Sequence, residues 1–301
     1  MEDLKNIRTE LRNPETMHID ELSTLDMVRL INREDHRVAD AVEKVCPQIA
    51  QAVDVIAKHL HDGGRLVYCG CGTSGRLGIL DAVECPPTYS TPPEMVVGLI
   101  AGGYPAIFKA VEGAEDNAGL GKKDLADISF CANDVLVGIA ASGRTPYVLG
   151  AMTYAKELGA QVIGVTCCPG SQIDMLADIS IAPTPGPEVV TGSTRMKSGT
   201  AQKMVLNMLS TGAMIRLGKV YGNLMVDVKP SNEKLIRRCV TIVCEATGES
   251  EEAAVAALEK CHYACKPAIV MLLRGVNENT AKQLLEQSDG RVAQALRAVI
   301  S

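Results

Sequence analysis

The sequence contains no tryptophan and two phenylalanines, so its core must be built from Ile, Val, Leu, Met and Ala. It has no stretch of about 18 unbroken apolar residues, which argues against a membrane span. Its acidic, polar start differs from the basic and apolar start of a secretion signal. With a net charge of −6 and no basic run, nucleic acid is disfavoured as a partner. These absences predict a soluble cytoplasmic protein.

The eleven cysteines form no C-x-x-C pair. Cys261, His262 and Cys265 have a spacing that could ligate zinc on a helix, but no second ligand pair follows at the spacing of a zinc finger. An odd number of thiols fits a reducing compartment, in which most cysteines act as small apolar residues. No metal and no other cofactor is predicted.

The 301 residues divide into three regions that differ in composition and hydrophobic pattern. Residues 1–63 predict helices at the periphery. Residues 64–222 alternate short Val- and Ile-rich runs with helical segments, which predicts an α/β domain with a doubly wound, five-stranded parallel sheet. Residues 230–301 are rich in Ala, Glu and Leu and predict a small all-helical domain that acts as a lid or a dimer element.

The elements of the two larger regions follow from the same patterns. Strands are predicted at 65–69, 95–100, 134–140, 161–166 and 179–182. Helices are predicted in the α/β domain at 74–84, 106–113, 146–158, 171–177 and 194–217. In the C-terminal region they are predicted at 232–247, 250–260, 264–273, 277–286 and 290–299.

Three loops rich in glycine and hydroxyl side chains precede predicted helices: a first loop at 69–75, a second at 141–146 and a third at 191–200. Glycine lets the backbone approach a ligand, and the N–H groups at a helix start attract anions. Ser and Thr hydroxyls add donors. Three such loops in one domain predict a single phosphate held from several sides, with a small organic body attached.

The first loop also matches a dinucleotide fingerprint, because Gly70, Gly72 and Gly75 have its spacing between a strand and a helix. That fingerprint requires an acidic residue at the end of the second strand, and residues 99–103 contain none. The hydroxyls at 142–145 would have no role in a dinucleotide site. NAD binding is therefore disfavoured.

Longer motifs carry a family resemblance. Residues 71–74 and 141–145 are similar to the two phosphate loops of sugar isomerase (SIS) domains, which bind phosphorylated sugars. The segments that resemble the N-acetylmuramic acid 6-phosphate etherases are 75–88, 110–116, 188–197 and 221–227. The similarity runs from Asn13 and Pro14 into the C-terminal region. Glucokinase regulatory proteins share this build and bind without catalysing a reaction.

The resemblance implies cleavage of the D-lactyl ether of N-acetylmuramic acid 6-phosphate, in the recycling of cell-wall amino sugars. The implied products are N-acetylglucosamine 6-phosphate and D-lactate, formed by elimination followed by hydration. The family correspondence implies Glu84 as the acid and Glu115 as the second, ionised carboxylate. A carboxyl that acts as an acid near pH 7 must have its pKa raised above the ~4.3 of a free glutamate. Two different environments can separate the pKa values of two carboxyl groups, so that one stays protonated while the other is ionised.

The binding candidates that the loops and the resemblance supply together are Thr73, Ser74, Gly75, Ser142, Gly143, Arg144, Thr145, Glu188, Ser193, Thr194 and Lys197. The hydroxyls of Ser74, Ser142 and Thr145 either contact the phosphate or cap their helices. Arg195 and Lys197 either contact the phosphate or the lactyl carboxylate, or pair with Glu188.

A helix that starts near Ser74 places Glu84 about 15 Å further along its axis, at ~1.5 Å per residue. A sugar phosphate spans less than that distance, so the sequence predicts a homodimer in which one carboxylate crosses into a shared active site. Two alternatives remain open from the residues: a regulator that binds a sugar phosphate without catalysis, and an aldose–ketose isomerase.

Overall fold

The computed structural model describes residues 8–230 and 232–299. Contacts divide the chain into two compact units. The first consists of the described residues of Met1–Val83 together with Glu94–Ser210, and the second of Glu84–Pro93 together with the described residues of Thr211–Ser301. Each unit has its own apolar core.

A five-stranded parallel sheet forms the centre of the first unit. Its strands are β1 (Leu66–Gly70), β2 (Val96–Ile100), β3 (Val135–Ile139), β4 (Gln161–Val165) and β5 (Ile179–Ile181). Their spatial order is β2-β1-β3-β4-β5, and all pairs are parallel. Every residue of β1 and β3 is buried, as expected for strands that are covered on both faces. The predicted doubly wound sheet and its five strands are confirmed.

Eight helices begin in this unit among the described residues. They are α1 (Thr24–Glu43), α2 (Cys46–His61), α3 (Gly72–Tyr89), α4 (Pro105–Phe108), α5 (Ala118–Asp127), α6 (Pro146–Glu157), α7 (Gln172–Leu176) and α8 (Lys197–Arg216). From residue 8 onward, three short 3-10 turns precede α1. The Ser23 hydroxyl caps α1, and a proline in the first turn starts α2.

The helix predicted at 106–113 is wrong in its extent. The structure has the short α4 instead, because the backbone at Lys109 is extended, and then a separate α5 that was not predicted. The Asn117 side chain caps α5 by accepting from the N–H of Leu120 at 3.0 Å. A Cβ at Gly121 would lie 2.0 Å from the carbonyl oxygen of Tyr147, so glycine allows close packing of α5 on α6.

Helix α3 is longer than predicted. The sequence predicts its end at residue 84, before Pro86 and Pro87, but the helix continues to Tyr89 with both prolines inside it. A proline removes one helical hydrogen bond and crowds the preceding turn. Here both prolines lie in the last turn, where the N–H of Ser90 still donates to the carbonyl of Pro86 at 3.0 Å. Glu84 is therefore an interior helix residue.

The second unit is mainly helical. Its described helices are α9 (Glu233–Thr247), α10 (Glu251–Lys260), α11 (Cys265–Arg274), α12 (Glu278–Glu286) and α13 (Val292–Ala295), and a ribbon of β6 (Val220–Tyr221) and β7 (Leu224–Met225) precedes them. Asn232, Ser250 and Asn277 cap three of these helices. The helix predicted at 290–299 is reduced to the short α13, and the ribbon was not predicted.

Among the helices of the described residues, none combines the length and the apolar character that crossing a bilayer requires.

Candidate active site

The first and second loops lie next to each other at the carboxyl edge of the sheet. The first follows β1 and the second follows β3, and these two strands pair directly. The strand order reverses between β1 and β3, and open α/β sheets bind their ligands at such a reversal. This edge is the candidate site.

The first loop brings the start of α3 directly against β1. A Cβ at Gly75 would lie 2.6 Å from Ile100 and 2.7 Å from the carbonyl oxygen of Gly70, so only glycine permits this approach. Gly72 has a φ of +53°, which also favours glycine. The Thr73 side chain is half-buried beside Gly199 of α8.

The Ser74 side chain is buried at the start of α3. Its hydroxyl donates to Oε1 of Gln202, an α8 residue, at 2.9 Å. No local sequence pattern predicts Gln202 as a site residue, because the contact joins residues that are 128 positions apart.

The second loop turns at Gly143, whose φ is +69°. A Cβ there would lie 2.0 Å from the Ser171 hydroxyl, so this position also requires glycine. Ser142 and Arg144 are half-buried. Thr145 precedes α6 without capping it; its hydroxyl donates instead to Oε1 of Glu115 at 3.2 Å.

Glu115 lies where the first and second loops meet. Its carboxylate accepts from Thr145 of the second loop and lies beside the half-buried thiol of Cys71 in the first loop. Burial, together with the neighbouring Glu115 carboxylate, raises the pKa of Cys71 to about 11. The main chain is fixed as well, because the N–H of Tyr147 donates to the carbonyl of Glu115 at 3.0 Å.

Arg76 holds the segment that leads to Glu115. Its guanidinium donates to the carbonyl of Ile107 at 2.7 Å and to that of Ala106 at 2.8 Å. Arg76 lies on α3 directly after the first loop, so its hydrogen bonds hold the segment after β2 against that loop.

The third loop leads into α8, which begins at Lys197 rather than at the predicted residue 194. The fully buried Glu188 accepts from the N–H groups of Lys197 and Ser198, both at 2.9 Å. Glu188 thus caps α8, and Ser193 and Thr194 precede the helix. Both of these hydroxyl residues are half-buried in the turn before the helix.

The ammonium group of Lys197 is fully buried and lies 2.5 Å from Oε2 of Glu34 on α1. The Asn13 amide donates to the same oxygen at 2.7 Å, and Arg37 lies 3.0 Å from the other one. Burial alone would raise the pKa of Glu34, but Lys197, Asn13 and Arg37 hold it below its usual value. The structure therefore engages Lys197 with the N-terminal region.

Glu34 was not among the predicted site residues, although the sequence contains a signal for it. Leu30, Glu34 and Val38 recur at a spacing of four, so Glu34 lies on the buried face of an amphipathic helix. A carboxylate on such a face needs a partner, since an unpaired buried charge is very costly.

Glu84 lies on α3 and its side chain is exposed. Because α3 is continuous from Gly72 to Tyr89, ten residues of helix separate Ser74 from Glu84. That length corresponds to about 15 Å of helix axis.

The chain has close relatives over its whole length. It is 60% identical over 98% of its residues to N-acetylmuramic acid 6-phosphate etherases from Photorhabdus laumondii and from Photobacterium profundum, and covers 98% of each. It is 56% identical to the one from Clostridium beijerinckii, with 98% of this chain and 97% of that one covered. The chain belongs to the N-acetylmuramic acid 6-phosphate etherase family.

Two domain families match within this etherase-family chain. Residues 48–156 match the glucokinase regulatory protein N-terminal SIS domain, and residues 123–212 match the SIS domain. Among solved structures, a putative phosphosugar isomerase involved in capsule formation from Bacteroides fragilis has a TM-score of 0.50 at 23% identity, over 67% of this chain and 95% of that one. A phosphoheptose isomerase from Neisseria gonorrhoeae has a TM-score of 0.50 at 19% identity, over 64% of this chain and 98% of that one. These structural likenesses show the fold of the etherase-family chain.

Proposed function

We propose that the chain cleaves the D-lactyl ether at C3 of N-acetylmuramic acid 6-phosphate, which gives N-acetylglucosamine 6-phosphate and D-lactate in the degradation and recycling of cell-wall amino sugars. The observation that carries the proposal is the likeness to the etherases, at 60% identity over 98% of the chain. The position of the Glu115 carboxylate, where the first and second loops meet, supports it.

In the proposed reaction the ring-opened sugar presents an aldehyde at C1, which makes the C2 proton acidic. Glu115 removes this proton as the base, and the C3–O bond breaks as Glu84 protonates the departing lactyl oxygen. Water then adds at C3 of the unsaturated intermediate, and C2 regains a proton. Atoms balance, since one water is consumed for each ether cleaved.

The phosphate is proposed to bind at the start of α3 and in the second loop. Thr73 and Ser74 contribute N–H groups at a helix start, where the dipole favours an anion. The N–H of Gly75 donates to the carbonyl of Cys71 at 3.3 Å, so Gly75 contributes by letting the backbone approach the ligand. The remaining binding candidates of the second loop are Ser142, Gly143, Arg144 and Thr145. Ser193 and Thr194 are proposed to contact the ligand. Glu188 caps α8 and Lys197 pairs with Glu34, so we propose that these two residues shape the site.

We infer that a homodimer completes the site with Glu84 from the second copy. Its separation of about 15 Å along α3 from Ser74 exceeds the reach of one sugar phosphate. An acid that keeps its proton near pH 7 needs a buried setting, whereas Glu84 is exposed in the single chain. Leu80 and Val83 beside it are 46% and 58% exposed, which supports their burial against a second subunit.

The proposal includes a cytoplasmic location. All eleven cysteines lie within the described residues and are free thiols, which fits a reducing compartment.

The decisive experiment measures D-lactate release when the purified protein meets N-acetylmuramic acid 6-phosphate. We expect release by the wild type, loss of release in Glu84→Gln, and full release in Glu94→Gln, a control at another exposed glutamate. Binding of the sugar phosphate without any lactate would contradict the proposal and indicate a regulator of the glucokinase regulatory type.

The mechanism has its own test in isotopically labelled water. Elimination and hydration place deuterium at C2 of the sugar product and heavy oxygen on its C3 hydroxyl. Heavy oxygen in D-lactate would mean displacement on the lactyl side and would contradict the mechanism.

A further inference from the structure

Gln202 is a buried polar side chain beside the proposed phosphate site, with 1% of its surface exposed. Its Oε1 accepts the hydroxyl hydrogen of Ser74 at 2.9 Å. Ser74 has a single hydroxyl hydrogen. In this arrangement that hydrogen points to Gln202 and is not available to a phosphate.

The amide nitrogen of Gln202 is unpaired. Among the described residues Nε2 has no hydrogen-bond partner, although the atom is buried. Buried donors without an acceptor are rare in native proteins, and an unsatisfied N–H is less well tolerated than an unsatisfied carbonyl. This arrangement therefore leaves a donor unsatisfied next to the Ser74 hydroxyl.

A rotation of the Gln202 amide by about 180° around its Cγ–Cδ bond exchanges the positions of Oε1 and Nε2. Nε2 then donates to the oxygen of Ser74, and the Ser74 hydroxyl hydrogen is free to donate to an anion. We propose that Gln202 is a positioning residue that turns the Ser74 hydroxyl towards the phosphate of the substrate. The resulting chain of two hydrogen bonds runs in one direction, so each bond polarises the next.

The surroundings fix Gln202 for this role. Glu188 holds the first turn of α8 through two N–H groups, and Gln202 lies five residues after the first of them. Gly199 of α8 packs beside Thr73, since a Cβ there would lie 3.3 Å from the Thr73 methyl group. The inference rests on the proposed function only in taking the ligand at Ser74 to be a phosphate.

Two substitutions separate positioning from simple packing. Gln202→Glu still accepts from Ser74 but cannot donate while ionised, so it holds the hydroxyl away from the ligand. We expect it to weaken binding of N-acetylglucosamine 6-phosphate at least a hundredfold, and Gln202→Met, which releases the hydroxyl, to weaken binding about tenfold. Calorimetric titration measures both, and competition by inorganic phosphate tests whether the loss concerns the phosphate group.

The Gln202→Glu variant has a characteristic pH dependence. Burial raises the pKa of the introduced carboxyl, and once protonated it can donate to Ser74 as the amide does. Binding by this variant should recover relative to the wild type as the pH falls from 8 to 5. A side chain that only fills space would show no such recovery.

A double-mutant cycle with Ser74→Ala tests whether Gln202 acts through Ser74. We expect Gln202→Met to cause no further loss of binding in the Ser74→Ala background. Ser210→Ala is the matched control, because Ser210 is a buried α8 residue whose hydroxyl donates to Asp81 at 3.1 Å. It should leave binding unchanged in both backgrounds, and thermal melts monitored by circular dichroism verify that each variant folds.

The outcomes separate this inference from the proposed function. Equal losses for Gln202→Met in the presence and absence of the Ser74 hydroxyl would overturn the positioning role, even if the wild type releases lactate. Conversely, a wild type that releases no lactate but binds the sugar phosphate through a Ser74-dependent Gln202 would refute the reaction and support the inference.

Discussion

The Thr145 hydroxyl donates to the Glu115 carboxylate at 3.2 Å, at the meeting point of the loops, and the Cys71 thiol lies beside that carboxylate. Cys71 and Thr145 lie in the loops that follow β1 and β3, so the orientation of the carboxylate depends on the pairing of these two strands. A base that abstracts a carbon-bound proton benefits from such a fixed orientation.

Replacing Glu115 by glutamine should lower the rate of D-lactate release about 10²- to 10⁴-fold, the usual contribution of a general base. The neutral side chain can still accept from Thr145, so binding of N-acetylglucosamine 6-phosphate should change little. Glu112→Gln, an exposed glutamate of the same segment, is the control. A Glu115→Gln variant with wild-type turnover would exclude Glu115 as the base.

Cys71 should react slowly with alkylating reagents at neutral pH. Its pKa is raised to about 11, so the reactive thiolate is scarce at pH 7 and increases as the pH rises towards that value. Mass spectrometry after brief iodoacetamide treatment should find the exposed Cys46 and Cys131 labelled first. Rapid labelling of Cys71 at pH 7 would mean that the thiol is not held beside a carboxylate.

At the scale of elements, α8 depends on Glu188. This side chain alone accepts from two N–H groups of the first helical turn, and it is fully buried. Glu188→Ala leaves both donors unsatisfied and should lower the free energy of unfolding by about 2–4 kcal/mol. Glu188→Gln keeps one acceptor and should cost about half as much. Urea denaturation followed by circular dichroism measures the difference, and equal stability of wild type and Glu188→Ala would refute the capping role.

The starts of β1 and β3 are joined by Arg65 and Asp134. The Asp134 carboxylate accepts from the Arg65 guanidinium at 2.7 and 3.0 Å and from the Arg65 N–H at 2.9 Å. Burial alone would raise the pKa of Asp134, but Arg65 and neighbouring N–H groups hold it below its usual value. The pair therefore contributes stability above the unfolded pKa of about 3.9 and loses it as the pH falls through the lower folded value.

Asp134→Asn should accordingly destabilise the protein by about 2–3 kcal/mol at pH 7. The difference from the wild type should shrink as the pH falls below about 4. Asp127→Asn is the control, because Asp127 pairs with Lys123 on an exposed face of α5 and should change stability little. A pH-independent difference between wild type and Asp134→Asn would contradict the charge argument.

The strands and the first two loops could be predicted because local signals define them: short apolar runs followed by glycine and hydroxyl residues. The α4–α5 segment could not, since α5 contains Gly119 and Gly121 and depends on packing against α6. The spacing on α1 indicates that Glu34 is buried, but its partner Lys197 and the partner of Ser74, Gln202, could not be predicted, because these contacts join residues 163 and 128 positions apart. Such contacts follow from tertiary packing rather than from any local pattern.

At the scale of the whole molecule, the exposed stretch of α3 that contains Leu80, Val83 and Glu84 is the feature that a second copy would explain. Two large apolar side chains beside a carboxyl group are a poor match for solvent. In a symmetric dimer the same surface of each copy is used twice, so two equivalent sites form. Each site would combine the loops of one copy with Glu84 of the other.

This arrangement predicts complementation between inactive variants. Ser142→Ala and Glu84→Gln should each release little lactate alone. After the two are unfolded together and refolded, about half of the dimers contain one copy of each, and one of their two sites combines an intact Ser142 with an intact Glu84. Activity should therefore return to about a quarter of the wild-type value. Refolding each variant separately before mixing is the control, and no recovery after joint refolding would place Glu84 in the site of its own chain.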